Sequence, residues 1–323
     1  MVAQRLKIWD GTNWRSRGWE LPPGIPDPED PPDPETPPGG FLSYSQVVSG
    51  AGLENPGILV NSGGITVTGD GVTVQNLNIP DGIIAVKANG VTVKNCRVKG
   101  YSASLDIINI YPGFTNTQVL DCDLESLEGP DINKAAPGCV GGYGNSFLTV
   151  KRCNIHGLNS DGIKATVGAH IERNYVHMGK SPGSTVHLDG MQAQGNANNC
   201  KVINNVWFMP QSEGGNICVF FQGWKGAPLN QCTLVTGGLV QANYLCGGNI
   251  PLQLIGGKSA YCSNASSYIT NFTVKDNVFY RDTSPLGSDT IRFEKYAVIE
   301  GSGHSISGNV DDLGAPVVAP YGF

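Results

Sequence analysis

Val150-Lys-Arg-Cys153-Asn-Ile155 is one instance of a phrase that recurs along the chain. The phrase is a β-branched residue, two variable positions, an anchor, one variable position and an apolar residue. It also occurs at Val74-Gln-Asn-Leu77, Val93-Lys-Asn-Cys96, Val119-Leu-Asp-Cys122, Ile171-Glu-Arg-Asn174 and Val202-Ile-Asn-Asn205. Val240-Gln-Ala-Asn243, Val274-Lys-Asp-Asn277 and Ile306-Ser-Gly-Asn309 complete the series. Two residues past the anchors stand Ile79, Val98, Leu124, Ile155, Val176, Trp207, Leu245 and Phe279; Asp311 breaks the rule in the last repeat.

Apolar residues at period 2 describe strands, and Val, Ile and Thr favour them over helix. The phrase fits two short strands meeting at a corner, with the anchor turned inward just past it. Parallel stacking of such units places equivalent residues about 4.8 Å apart, so the anchors form an internal column. Leu77 heads that column, Cys96, Cys122 and Cys153 follow, and five Asn complete it. Stacked amides can satisfy one another in a dry interior, and buried thiols behave as small hydrophobes. The expected fold class is all-β: a right-handed parallel β-helix over residues 41–323, its hand set by the rule for parallel crossovers. A Leu-x-x-Leu-x-Leu pattern, which would mark leucine-rich repeats, is absent. The interval from 77 to 96 is close to a bare coil, whereas the interval from 205 to 243 carries the largest excursion, with Trp207, Phe208, Phe220, Phe221 and Trp224.

Two segments precede the repeats. Residues 1–20 are short and aromatic, with Trp9, Trp14 and Trp19 around an Asp10-Gly11 turn signal. So small a hairpin cannot bury three Trp by itself, which makes it a candidate attachment segment. Residues 21–40 contain nine Pro interspersed with Asp and Glu, the composition of an extended polyproline spacer.

The 323 residues include 44 Gly, only 15% are charged, and the net charge is −6. That balance suits many tight turns and disfavours a nucleic-acid partner. The N-terminus has no apolar signal segment, and no apolar run is long enough to span a bilayer. The expectation is a soluble chain, not inserted in a membrane and made in a reducing cytoplasm. Nine Cys without a CxxC pair disfavour structural disulfides and a zinc site; no metal and no cofactor are expected.

Chemistry has two candidate locations. An Asp-Gly-Ile feature recurs at Asp81, Asp161 and Asp189-Gly-Met, with relatives at Asp106, Asn216, Asn249 and Asp289. Such residues serve turns, but in the middle coils they gather. Asp161 and Asp189 should be neighbours on one corner, with Lys164 and His187 close by. Two carboxylates a few ångströms apart are the requirement of glycoside hydrolysis, and a His or Lys could instead abstract a proton in a lyase. These four are the candidate catalytic residues. His156 and His177, three past their anchors, should face outward on adjacent coils. With Trp207, Phe208 and Trp224 they are the candidate ligand-binding residues, since aromatics stack on sugar rings or dock a partner.

The Asn and Cys columns and the Asp-Gly-Ile turns resemble pectate-lyase-like right-handed β-helix proteins. Asn154 to Lys164, with His187-Leu-Asp-Gly-Met-Gln192 one coil later, resembles β-helix proteins of actinobacteria and their phages. Lys7-Ile-Trp-Asp-Gly-Thr-Asn-Trp14 followed by a Pro-rich spacer resembles minor tail proteins of actinobacteriophages. The resemblance implies a virion protein of the phage tail, bound to other tail proteins through residues 1–40. It further implies a homotrimer that presents its β-helix to glycans of the host envelope. The calcium carboxylates and Arg base of pectate lyases have no clear match here. Three readings stay open: host recognition, a polysaccharide hydrolase or lyase, and a structural tail spacer.

Overall fold

The computed structural model describes residues 5–9, 14–20, 58–61, 64–100, 105–126, 138–141, 147–158, 160–178, 188–209, 215–225, 231–247, 250–256, 269–280, 297–311 and 314–317. Within them the chain winds as a parallel β-helix of three sheets. The first coil places Gly64–Val67 in sheet 1, Thr73–Gln75 in sheet 2 and Asn78–Ile79 in sheet 3, and Ile83–Val86 then returns to sheet 1 beside the strand it started from. Sheet 1 has ten described strands and sheets 2 and 3 have nine each. All pairing along the stack is parallel, except where Ile58–Asn61 lies antiparallel on Gly64–Val67 and closes the first coil.

Each repeated phrase straddles the corner between sheets 2 and 3. The residue before every anchor has a positive φ: Asn76, Asn95, Asp121, Arg152, Arg173, Asn204, Ala242, Asp276 and Gly308. A left-handed residue turns the chain sharply enough for both strands to point their apolar residues inward. Asn, Asp and Gly tolerate that conformation, which accounts for much of their use at this place. The inward Val or Ile of sheet 2 and the inward apolar of sheet 3 meet in one continuous core.

The anchor column is as the repeat demands. The Nδ2 of Asn174, Asn205 and Asn243 donates to the Oδ1 of the next Asn, at 2.9, 2.9 and 3.0 Å, and Asn277 donates likewise to Asn309 at 2.9 Å. The second Nδ2 hydrogen goes one coil back, to the carbonyl of Val150, Ile171, Val202 or Val240. Each Oδ1 also accepts the backbone N–H of the anchor before it, as Asn174 does from Cys153 at 2.9 Å. The thiols are more than small hydrophobes: those of Cys96, Cys122 and Cys153 reach the same Val carbonyl one coil back, at 3.5 to 3.7 Å. Cysteine and asparagine thus do one job in this column. Leu77 stands on the first described coil. The seven cysteines whose side chains are described are buried and in no disulfide.

Asp311, the break in the pattern, closes the last described coil. Its Oδ1 accepts Ala315 N–H at 2.9 Å, and its backbone pairs with Ala315 in a tight turn. Before the stack, Arg5–Trp9 and Trp14–Glu20 pair antiparallel, with Trp9 opposite Trp14, as the Asp10-Gly11 turn signal implies. The side chains of Trp9, Trp14 and Trp19, and the whole of the 21–40 spacer, lie outside the described residues.

The long interval from 205 to 243 is built differently from the sequence expectation. Trp207 and Phe221 belong to the stack and are fully buried, because each occupies an inward strand position. The excursion itself leaves sheet 1 after Gln222 as the short hairpin Trp224–Lys225 against Gln231–Cys232.

Candidate functional site

Sheet 1 carries the carboxylates. Register places Asp106, Gly138, Asp161 and Asp189 in one column on successive coils, with Gly82 before them. Asp81 is one residue out of this register and exposed, so it does not belong to the column. Asp161 and Asp189 are neighbours, as the sequence spacing requires. Asp161 Oδ1 accepts Asp189 N–H at 3.3 Å, and Asn216 Nδ2 donates to Asp189 Oδ1 at 3.0 Å. Gln192 Nε2 donates to the other Asp189 oxygen at 3.2 Å. Loss of water around Asp189, and then the charge of Asp161, push its carboxyl well above the usual range. Asp189 is 1% exposed and Asp161 7%, so both carboxyls are withdrawn from solvent.

Lys164 binds a third carboxylate of the column. Its Nζ lies 2.9 Å from Asp106 Oδ1, two coils back. Gly141 makes that reach possible: a Cβ there would stand 2.9 Å from the Lys164 Cβ. Burial lifts the Asp106 carboxyl, and Lys164 partly offsets it. His187 lies outside the described residues. Asp106, Gln192 and Asn216 complete the cluster; Asp106 and Asn216 were legible as relatives of the Asp-Gly-Ile feature, whereas register alone brings in Gln192.

Sheet 3 carries the outward histidines, and its outer face divides in two. In the earlier coils it is ionic. Asp123 takes the His156 Nε2 hydrogen at 3.0 Å and Asn154 Nδ2 at 2.9 Å, with Arg97 at 3.6 Å. Burial alone would raise Asp123, but the His156 hydrogen bond and its neighbours hold the carboxyl below its usual range. Lys99 and Glu125 pair beside it at 2.8 Å. In the later coils the face is aromatic. His177 stacks between Tyr175 and Phe208, ring centroids 5.9 Å apart on both sides. Tyr175, Val206, Tyr244, Cys246 and Val278 pack there as a second apolar cluster, outside the main core.

His156 and His177 are therefore on adjacent coils but not in register. A bulge at His156 and Gly157 intervenes, with Gly157 at φ +66°. His170, by contrast, is on sheet 2 against Glu172 at 3.1 Å. Of the candidate ligand-binding residues, His156, His177 and Phe208 share the outer face of sheet 3. Trp207 points into the core at 0% exposed and can present nothing to a ligand. The Trp224 side chain lies outside the described residues. Among the described residues no three His, Cys, Asp or Glu side chains gather as a metal site.

No curated protein matches the chain. Solved structures similar to the chain at low identity include two, a tailspike and an epimerase module. The Dettilon tailspike protein shares 14% identity at a TM-score of 0.48, covering 76% of this chain and 48% of that one. The A-module of the Azotobacter vinelandii mannuronan C-5 epimerase AlgE4 shares 12% identity at a TM-score of 0.35, covering 81% and 87%. The chain thus spans about half the length of the tailspike. The model of the right-handed β-helix region matches residues 56–234, more than half of the chain, and the protein belongs to that β-helix family.

Proposed function

We propose that this protein is a minor tail component of a phage virion, a homotrimer whose β-helix recognises glycans of the host envelope without cleaving them. The observation that carries the non-catalytic part is the closure of the carboxylate pair. Asp189 is buried, its two oxygens each accept a side-chain amide, from Asn216 and Gln192, and its backbone N–H donates to Asp161, so the carboxylate is already engaged within the protein. A general acid or nucleophile must instead reach the glycosidic bond. The attachment part rests on the Trp-bearing hairpin and the Pro-rich spacer, which suit a docking segment and an arm. Deleting residues 1–40 should leave a folded β-helix that fails to enter virions; normal incorporation of the truncated chain would refute the attachment.

The enzymatic reading has one observation in its favour. Two adjacent carboxyls, one of them pushed towards its protonated form, resemble an acid and base set apart by environment. Its test is the double variant Asp161→Asn with Asp189→Asn. If wild-type protein releases sugar from host envelopes and the double variant does not, the pair is catalytic and the recognition reading loses its first support.

A further inference from the structure

The corner between sheets 1 and 2 also turns through a left-handed residue on each coil. Its column reads Gly71, Gly90, Asn116, Phe147, Gly168, Asn199, Gly237, Asn271 and Gly303. Eight are Gly or Asn, the residues that accept this conformation; Phe147, at φ +56°, is not. A bulky residue there is strained, and strain of this kind persists where function holds it. Nor does burial explain Phe147, because it is 53% exposed. A single exposed aromatic is ordinary, and a single strained one can be a packing compromise. A residue that is both gains little for stability.

The surroundings of Phe147 indicate what the ring is for. It lies over Gly168 on the next coil, where a Cβ would come within 2.5 Å of the ring, so Gly168 supplies a flat seat. Asn116 lies one coil before it and Asn199 two coils after, both exposed, in a column spaced about 4.8 Å per coil. Exposed Gln118 and Lys201 run alongside on sheet 2. An aromatic face set in a row of amides matches a pyranose, which has an apolar C–H face and a rim of hydroxyls. A protein partner would call for more apolar neighbours than the half-buried Val167, and the other described residues of this corner from Thr115 to Thr236 are mostly Asn, Thr and Gly, with Gln118 and Lys201 alongside. We infer that Phe147 on Gly168, flanked by Asn116 and Asn199, is a glycan-binding subsite that stacks on one sugar ring of a chain lying along the helix axis. The inference rests on the recognition reading and gives it a location.

The test uses full-length protein and oligosaccharides released by mild acid from actinobacterial envelopes. Binding is followed by saturation-transfer NMR and calorimetry. Phe147→Asn should bind about tenfold more weakly or worse, while its thermal midpoint stays within about 1 °C of wild type or rises. Phe147→Trp should keep binding, because it restores a stacking face. Wild-type binding that Phe147→Asn leaves intact overturns the subsite and spares the recognition reading. No binding by wild type overturns both. Unchanged binding together with dissociation of an oligomer would assign the ring to a contact between protein chains, and so also overturn it.

Discussion

Single residues bear the strain and the unusual charges of this fold. Ala242 sits at φ +54° in the corner before Asn243, where its neighbours in the column are mostly Asn, Asp, Arg and Gly. Its methyl makes none of the polar contacts seen for Arg152, which grips Asp121 through two hydrogen bonds at 2.6 and 2.9 Å. Ala242→Gly should therefore stabilise the protein by about 0.5–1 kcal/mol, relief of the left-handed cost exceeding the added chain entropy. Chemical denaturation would measure it, and a loss of stability would show that the corner tolerates Ala freely. Asp189 offers a test of the opposite kind. Its folded carboxyl titrates above its unfolded value, so its favourable contribution is complete at low pH. That contribution is lost as pH climbs from about 4, the unfolded value, through the raised folded one. Asp189→Asn mimics the protonated acid. Its stability relative to wild type should grow between pH 4 and pH 8, measured by thermal melts. Asp123 and Glu172 are shifted the other way and contribute stability that is lost as pH falls, so they set an acid limb that this variant leaves unchanged.

At the scale of elements, the anchor column is the unit that holds coil to coil. Removing the Asn243 side chain by Asn243→Ala takes the acceptor from the Asn205 backbone N–H and Nδ2, and the second donor from Asn277 Oδ1. Buried donors left unpaired cost about 1–3 kcal/mol each, so the variant should lose roughly 3 kcal/mol or more. A loss under about 1 kcal/mol, read from urea unfolding, would mean that the ladder contributes shape and little energy. This column was legible in the sequence because its side chains point inward: the eight Cys and Asn anchors all reach the Val or Ile carbonyl one coil back. The Asp161–Asp189 proximity was legible for the same reason of register. What the sequence hid lies on the outside or at irregularities. Trp207 reads as a surface aromatic from the length of its interval, yet period 2 from Asn205 already points it inward. The bulge at His156 and Gly157, which sets two residues opposite His177, is invisible to simple counting. Phe147 precedes Val150 by three, a spacing shared by Gly71, Gly90 and Gly168 with their own strands; only the φ angles reveal that the place wants Gly or Asn.

At the scale of the molecule, the stack is nearly one-dimensional, each coil touching the next, so its length can be presented as a ruler of repeated surfaces. At the limits of the described stack, Ile58–Asn61 lies antiparallel on the first described coil, and Asp311 takes the Ala315 N–H in a turn on the last. Three outer faces remain: the closed carboxylates of sheet 1, the polar rows of sheet 2, and the half-ionic, half-aromatic face of sheet 3. Among them the edge beside sheet 2 carries the exposed ring. The central claim is that this surface recognises envelope glycans and leaves them intact. Co-sedimentation of full-length protein with actinobacterial envelopes, before and after periodate oxidation of their glycans, with reducing sugar assayed in the supernatant, tests it most directly. The account predicts binding that periodate abolishes and no sugar released; release of sugar, or binding indifferent to periodate, would contradict it.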